Sequence, residues 1–165
     1  MTSGIHQDAD DQRRRRRTVN EIKESMRAVS VELALLNRQV GDHLDLRDGD
    51  LACLDLISRF GPIGPSALAR RAGLHPATTT GVLDRLERGG WVVRERDPAA
   101  TDRRAVTVRA LRERSADVFK LYAGMNGSMD DILAGYASDE LDVIADFLRR
   151  VSDAGRTETD RLAGA

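Results

Sequence analysis

Two short segments, each begun by a proline and ended by a glycine, constrain the fold of this chain most strongly. The first runs from Pro65 to Gly73, and the second runs from Pro76 to Gly89. Proline is favoured at the first helical position, where its missing N–H would be unpaired in any case, and glycine is favoured just past the last turn. The pattern predicts two short helices joined by a tight turn, as in a helix-turn-helix.

The second of these helices has one apolar face. The side chains of this face recur at i, i+3, i+4 and i+7, and they are Thr79, Val82, Leu83 and Leu86. Such spacing is typical of an amphipathic helix that buries one stripe. The opposite face is left to contact a partner. His75 stands before the helix, where a capping serine or aspartate is usual.

A charged hairpin is predicted to follow. Trp91 to Arg96 and Ala105 to Arg109 are β-branched or aromatic runs, and the intervening loop carries proline, aspartate and arginine. Between Ser66 and Arg114 there are eleven arginines and six acidic residues, whereas beyond residue 115 there are five basic and ten acidic ones. The formal net charge of −1 hides this asymmetry. A basic segment in a neutral chain indicates that one region contacts phosphates.

The runs LARRAGL, TTTGVLDRLERGGWVVRERD and DPAATDRRAV resemble the winged helix-turn-helix of the MarR family of bacterial transcriptional regulators. The resemblance covers most of the chain, because a long N-terminal helix and two C-terminal helices flank the motif. It implies a mainly α fold with a small β-wing and a helical dimerisation region. It also implies a cytoplasmic, sequence-specific regulator, most simply a repressor, that binds double-stranded DNA at an inverted-repeat (palindromic) operator as a homodimer.

The resemblance also assigns roles to individual residues. The Asp-x-Arg of the family's wing maps onto Asp102 and Arg104, with the arginine inserted in the minor groove and the aspartate orienting it. Many relatives have a long polar side chain where this chain has Gly81, which leaves more of the base readout to threonines of the second helix and to the wing. The candidate DNA contacts are Ser66, Arg70, Ala77, Thr78, Thr80, Arg85, Asp102, Arg103 and Arg104.

The N-terminal helix is predicted to mediate dimerisation. Thr18-Val19-Asn20-Glu21 matches a capping box and predicts a helix start at Thr18. A heptad seam follows at Ile22, Met26, Val29, Leu33, Leu36 and Val40. A stripe of this length requires a partner helix. The predicted domains are a disordered basic extension (1–17), a dimerisation helix (18–45), the winged helix-turn-helix (46–111) and C-terminal dimerisation helices (112–165).

The arginine block at residues 13–17 allows two interpretations. It is either a solvated lead-in to the helix, or an arm that follows DNA phosphates or enters a minor groove. Residues 1–12 are polar and without periodicity, so disorder is expected there.

Chemistry at the single cysteine is not favoured. Cys53 lies among Leu51, Ala52 and Leu54, with no neighbouring lysine or histidine to lower its pKa, so a packed small hydrophobe is expected. No metal-ligand spacing and no nucleophile with a base is present in the sequence, so we expect neither a metal, nor a cofactor, nor an enzyme. No apolar run reaches membrane-spanning length, and no membrane association is expected.

Members of the resembled family often bind small aromatic or anionic ligands between the DNA-binding lobe and the dimer helices. By analogy, His43, Arg47, Tyr122 and Met125 are candidates for lining such a crevice. Two alternative functions remain open from the sequence. One is a winged-helix protein-interaction module without specific DNA readout, and the other is a redox switch based on Cys53.

Overall fold

The computed structural model describes residues 3–96 and 106–163. In chain order its elements are α1 (Ser3–Leu44), α2 (Asp48–Phe60), α3 (Pro65–Ala72), α4 (Pro76–Arg88), β1 (Val92–Arg96), β2 (Val106–Ala110), α5 (Arg112–Leu133) and α6 (Ser138–Ala163). A mainly helical chain with a small two-stranded sheet is the predicted fold class, which is therefore confirmed. The chain divides into two compact units, Met1–Gln39 and Val40–Ala165.

The first unit consists of α1 up to Gln39, and here the predicted helix start is wrong. The helix begins at Ser3, and the hydroxyl of Thr18 donates to the carbonyl oxygen of Arg14 at 3.1 Å, as it does inside a helix. A capping threonine would instead lie outside the helix and accept from an amide. Arginine favours helix, and Asp10 precedes Arg13 by one turn with 3.9 Å between their charged atoms, the order that stabilises helices. The arginine block is therefore helical.

The predicted heptad seam lies along α1. Ile22, Val29 and Leu33 are exposed in the single chain, whereas Met26 and Leu36 are half-buried. Exposed apolar side chains at heptad spacing are typical of a helix that packs against another chain. The seam thus retains a large apolar surface in the isolated protomer.

The core of the second unit is formed by α2, α3, α4 and the sheet. Its fully buried side chains include Ile57, Leu68, Leu83, Leu86 and Val108. Together these side chains bring all three helices and the sheet to one apolar centre. The two strands are antiparallel, with Val92 opposite Ala110 and Arg96 opposite Val106. The first residue of the predicted second strand, Ala105, lies outside the described residues.

The two helices of the motif begin and end as their prolines and glycines predict. Gly73 closes α3 with φ of 63°, in the left-handed region where glycine is unstrained. His75 is the N-cap of α4, because its Nδ1 accepts from the amide of Ala77 at 3.3 Å. Histidine thus takes the place of the usual capping serine or aspartate.

The last two helices begin differently from each other. Leu111 precedes α5 without a side-chain cap. At the start of α6, the carboxylate of Glu140 accepts from the amide of Ala137 at 2.8 Å. Both helices carry exposed apolar side chains, Phe119 and Val143 among them. Among the described residues, no helix is long and apolar enough to cross a membrane.

Candidate nucleic-acid interface

The first half of α4 presents small side chains to solvent. Ala77, Thr78 and Thr80 are exposed, and Thr79 between them is buried with its hydroxyl donating to the carbonyl of His75 at 3.2 Å. The alternation follows from the helical period, which sends only position 79 of this run toward the core. The Thr80 hydroxyl donates to the carbonyl of Pro76 at 3.1 Å, so its oxygen can still accept a hydrogen bond.

The candidate side chains of α3 lie at the surface. Ser66 and Arg70 are exposed, in line with a role outside the core. Arg71 of the same helix lies 3.7 Å above the ring centroid of Phe60 and so joins α3 to the end of α2. Arg71 thus has an aromatic partner within the protein, and Arg70 lies at the surface of the same helix.

Arg85 is held by a buried carboxylate that the sequence does not indicate. Its Nε donates to Asp50 Oδ2 at 2.9 Å, and its Nη2 donates to Asp50 Oδ1 at 2.6 Å. The Asp50 side chain is 3% exposed and the Arg85 side chain 32%. The hydrogen bonds that Arg85 donates to Asp50 raise the pKa of Arg85 above its usual value. This fork joins the second half of α4 to the first turn of α2.

A second arginine fork joins α4 to the sheet. Arg94 on β1 donates from Nη2 to Asp84 at 2.6 Å and from Nη1 to Glu87 at 2.9 Å. The three side chains are partly exposed, so each pair contributes little stability by itself. Their geometry nevertheless fixes the strand that leads into the wing relative to α4.

The two strands are also joined by an ion pair. Arg109 Nη2 donates to Glu95 Oε1 at 2.5 Å. This hydrogen bond lowers the pKa of the Glu95 carboxyl and raises that of Arg109. The three predicted wing contacts, Asp102, Arg103 and Arg104, lie outside the described residues.

The four candidate ligand-binding residues lie in different elements. His43 is in the last turn of α1, and Arg47 immediately precedes α2; both are exposed. Tyr122 and Met125 are on α5, and burial, followed by the charge of Asp55, raises the pKa of the Tyr122 phenol. A shallow surface concavity lies elsewhere, along α1, and it is lined by Gln12, Arg15, Arg16, Val19 and Asn20.

Cys53 lies in the core of the second unit. Its side chain is fully buried, and burial raises its pKa, with the charge of Asp50 acting in the same direction. A thiol that is both enclosed and protonated is a poor nucleophile. Among the described residues, no three histidine, cysteine or acidic side chains are placed to hold a metal ion.

We expect the Cys53 thiol to react with an alkylating reagent at least about 100-fold more slowly in the native protein than in urea, because the reagent must wait for the core to open. Mass spectrometry of the alkylated protein measures both rates without ambiguity, since the chain has one cysteine. Similar rates in the two conditions would restore the redox-switch interpretation.

Two short helices at a tight turn, the second with an exposed polar face, followed by an antiparallel hairpin, define a winged helix-turn-helix DNA-binding domain. Residues 46–106 match the model of the MarR family. This segment, which runs from the residues before α2 to the start of β2, is similar to the MarR family of winged-helix regulators. This family's transcriptional regulators are generally non-enzymatic.

The chain is similar to several proteins of Bacillus subtilis (strain 168). It is 29% identical to the uncharacterized HTH-type transcriptional regulator YcgE over 136 residues, which are 82% of this chain and 87% of YcgE. It is 28% identical to the HTH-type transcriptional repressor YetL over 86 residues, which are 52% of this chain and 50% of YetL.

Solved structures share the fold. A MarR family protein from Bacillus stearothermophilus superposes with a TM-score of 0.63 at 22% identity, over 84% of this chain and 95% of that one. The structure of NadR in complex with 4-hydroxyphenylacetate superposes with a TM-score of 0.60 at 22% identity, over 79% of this chain and 91% of that one.

Proposed function

We propose that this regulator binds an inverted-repeat operator as a homodimer, with α4 in the major groove and the wing in the minor groove, and that it represses transcription. The observation that carries the proposal is the exposed, small and polar first half of α4, which can approach the base edges closely. Thr78 and Thr80 are the proposed base contacts, with Ala77 beside them. The amides of the first turn of α4 suit a phosphate.

The basic residues around α4 suit the DNA backbone. Ser66 and Arg70 on α3 are exposed and are proposed to contact phosphates. By similarity to the family, Arg104 is proposed to enter the minor groove, with Arg103 as a further contact and Asp102 orienting Arg104. Rigid attachment of β1 to α4 through Arg94 supports this arrangement, because the wing and the helix would then engage DNA as one body.

Exposed apolar surface supports the homodimer. The heptad seam of α1 and the apolar side chains of α5 and α6 are exposed in the protomer, which is costly in water. Two recognition helices about 34 Å apart would read the two half-sites of an inverted repeat. We therefore assign dimerisation to residues 18–45 and 112–165.

We also propose, by analogy with the structural relative NadR, that a small ligand releases this protein from DNA. NadR has been solved with 4-hydroxyphenylacetate, an aromatic anion. In this chain the proposed ligand residues are His43, Arg47, Tyr122 and Met125. Such a ligand would release DNA only by preferring a dimer whose recognition helices have the wrong spacing.

Selection from random DNA, followed by fluorescence anisotropy, tests the function. We expect the purified protein to select an inverted repeat and to bind it at least about 10³-fold more tightly than a scrambled duplex. The Arg104→Ala variant is expected to lose at least about fivefold in affinity for the selected duplex, the scale of one good DNA contact. Failure to select any sequence would favour the protein-interaction module.

A further inference from the structure

The guanidinium of Arg85 keeps hydrogen-bond donors that Asp50 does not use. A guanidinium carries five N–H groups, and Asp50 accepts from two of them, on Nε and Nη2. The other three lie on Nη1 and on the outer side of Nη2. Among residues 3–96 and 106–163, the structure gives this outer edge no hydrogen-bond partner.

The outer edge of the Arg85 guanidinium lies beside Gly81, the one residue of α4 without a side chain. A Cβ atom built on Gly81 would come 3.6 Å from Arg85 Nη1, and no other atom outside the adjoining residues and the backbone of the helix itself would lie within 4 Å of it. We call the space that a side chain would occupy there the Gly81 gap. Glycine in the middle of a helix is unfavourable by about 1 kcal/mol relative to alanine, so local helix stability does not account for it.

We propose that Asp50 is a positioning residue that directs the outer edge of Arg85 into the Gly81 gap, where the guanidinium binds an acceptor pair on DNA. The proposal rests on the proposed function. Arg85 would then supply, from one helical turn further on, the long polar group that position 81 lacks. Two parallel N–H donors fit either the O6 and N7 atoms of guanine or two oxygens of a phosphate.

The electrostatics of the fork match this role. Asp50 and Arg85 together carry no net charge, so the contact would act through directed hydrogen bonds more than through attraction to the backbone. Two hydrogen bonds from the guanidinium to one buried carboxylate fix its plane, which reduces the entropy lost when DNA binds. An arginine without Asp50 would have to be ordered on binding.

Four variants test the proposal: Gly81→Ala, Arg85→Lys, their combination, and Asp50→Asn. The probe is a duplex selected by the wild-type protein from random DNA, with a scrambled duplex beside it. The added methyl of Gly81→Ala makes only an ordinary contact and improves helix propensity, so the fold is retained. Lysine keeps the positive charge beside Asp50 but lacks the second donor edge.

We expect Arg85→Lys to weaken binding to the selected duplex at least about fivefold. Gly81→Ala is expected to weaken binding about threefold in the wild type and by less than about 1.5-fold in the lysine variant, since residues that share one contact do not act additively. Asp50→Asn is also expected to weaken binding to the selected duplex, because a neutral acceptor holds the guanidinium of Arg85 less firmly. Thermal unfolding of each variant ensures that binding is measured on folded protein.

Arg59→Lys is the matched control, because Arg59 pairs with Asp55 on the exposed side of α2, at 2.9 Å, and is not on α4. It should bind as the wild type does. Replacing single guanines of the duplex by 7-deazaguanine distinguishes the two acceptors. If Arg85 contacts a guanine, one replacement should weaken binding of the wild type but not of Arg85→Lys. If Arg85 contacts a phosphate, no replacement should weaken binding, and Arg85→Lys should bind the selected and the scrambled duplex more weakly by the same factor.

Either of these results supports the proposal. The proposal would be overturned if Arg85→Lys and Gly81→Ala each bound the selected duplex within twofold of the affinity of Arg59→Lys. It would also be overturned if the losses of binding free energy in these two variants simply added in their combination. Both results would leave the proposed function intact. Failure of the wild type to select any DNA would remove the proposed function, and this inference with it.

Discussion

Replacing Arg85 by methionine is expected to lower the free energy of unfolding by about 3–5 kcal/mol, the usual cost of leaving a buried charge without its partner. Methionine fills a similar volume, so the effect would come from Asp50. That carboxylate is 3% exposed and would lose both of its hydrogen bonds to Arg85. Urea unfolding followed by circular dichroism measures the change.

Replacing Asp50 instead of Arg85 should lower the free energy of unfolding by less. Asp50→Asn leaves Arg85 with a neutral acceptor, and the guanidinium is 32% exposed and can turn to water. We expect the free energy of unfolding to fall by about 1.5–3 kcal/mol, the range of a hydrogen bond to a charged group. The asymmetry is the discriminating result: equal and small losses for the two variants would show that the ion pair is not buried in solution. Because the loss of positive charge at position 85 is expected to destabilise the fold, DNA binding is tested with Arg85→Lys, which keeps that charge.

Leu86→Ala is expected to lower the free energy of unfolding by about 2–5 kcal/mol, because the lost methyl groups leave a cavity that the surroundings fill only partly. Leu86 is fully buried on α4, and its carbonyl accepts from the amide of Trp91 at 2.9 Å, so it lies where the helix meets the sheet. Trp91 is the single tryptophan and is itself buried, which makes its fluorescence a direct measure of unfolding.

The control for this variant is Arg88→Ala. Arg88 lies on the same helix as Leu86, is exposed and donates to the carbonyl of Asp84 at 3.1 Å, so its removal should change stability by less than about 0.5 kcal/mol. Both variants must be compared at one protomer concentration, since dimerisation adds to apparent stability. A loss below about 1 kcal/mol for Leu86→Ala would contradict the packing of α4 described above.

Local signals predicted the helix-turn-helix well. Both prolines begin their helices, Gly73 ends α3, and the apolar stripe of α4 is buried with Thr79 on its inner side. These outcomes depend on proline sterics, on the left-handed backbone of glycine and on the helical period, which are properties of a few adjacent residues. The charged hairpin follows from the same kind of signal.

The helix start predicted from the capping box at Thr18 was wrong because that motif marks a helix start only when the preceding residues are not helical. Thr-x-x-Glu begins a helix only if the threonine lies outside it, and here an arginine-rich turn continues the helix backwards to Ser3. The order of acidic and basic residues, with Asp10 one turn before Arg13, was the available signal. Propensity summed over residues 3–17 would have weighed against a break.

The sequence by itself determined the fold class, the boundaries of the two helices of the helix-turn-helix and the resemblance to a family, because each is encoded in short-range patterns and in the residues of one contiguous segment. Only the tertiary structure decided what Arg85 pairs with. The helical period places Arg85 beside the exposed side of α4, but its partner Asp50 lies 35 positions earlier on another helix. That pairing, and the relation of Arg85 to Gly81, exist only once packing has brought α2 against α4.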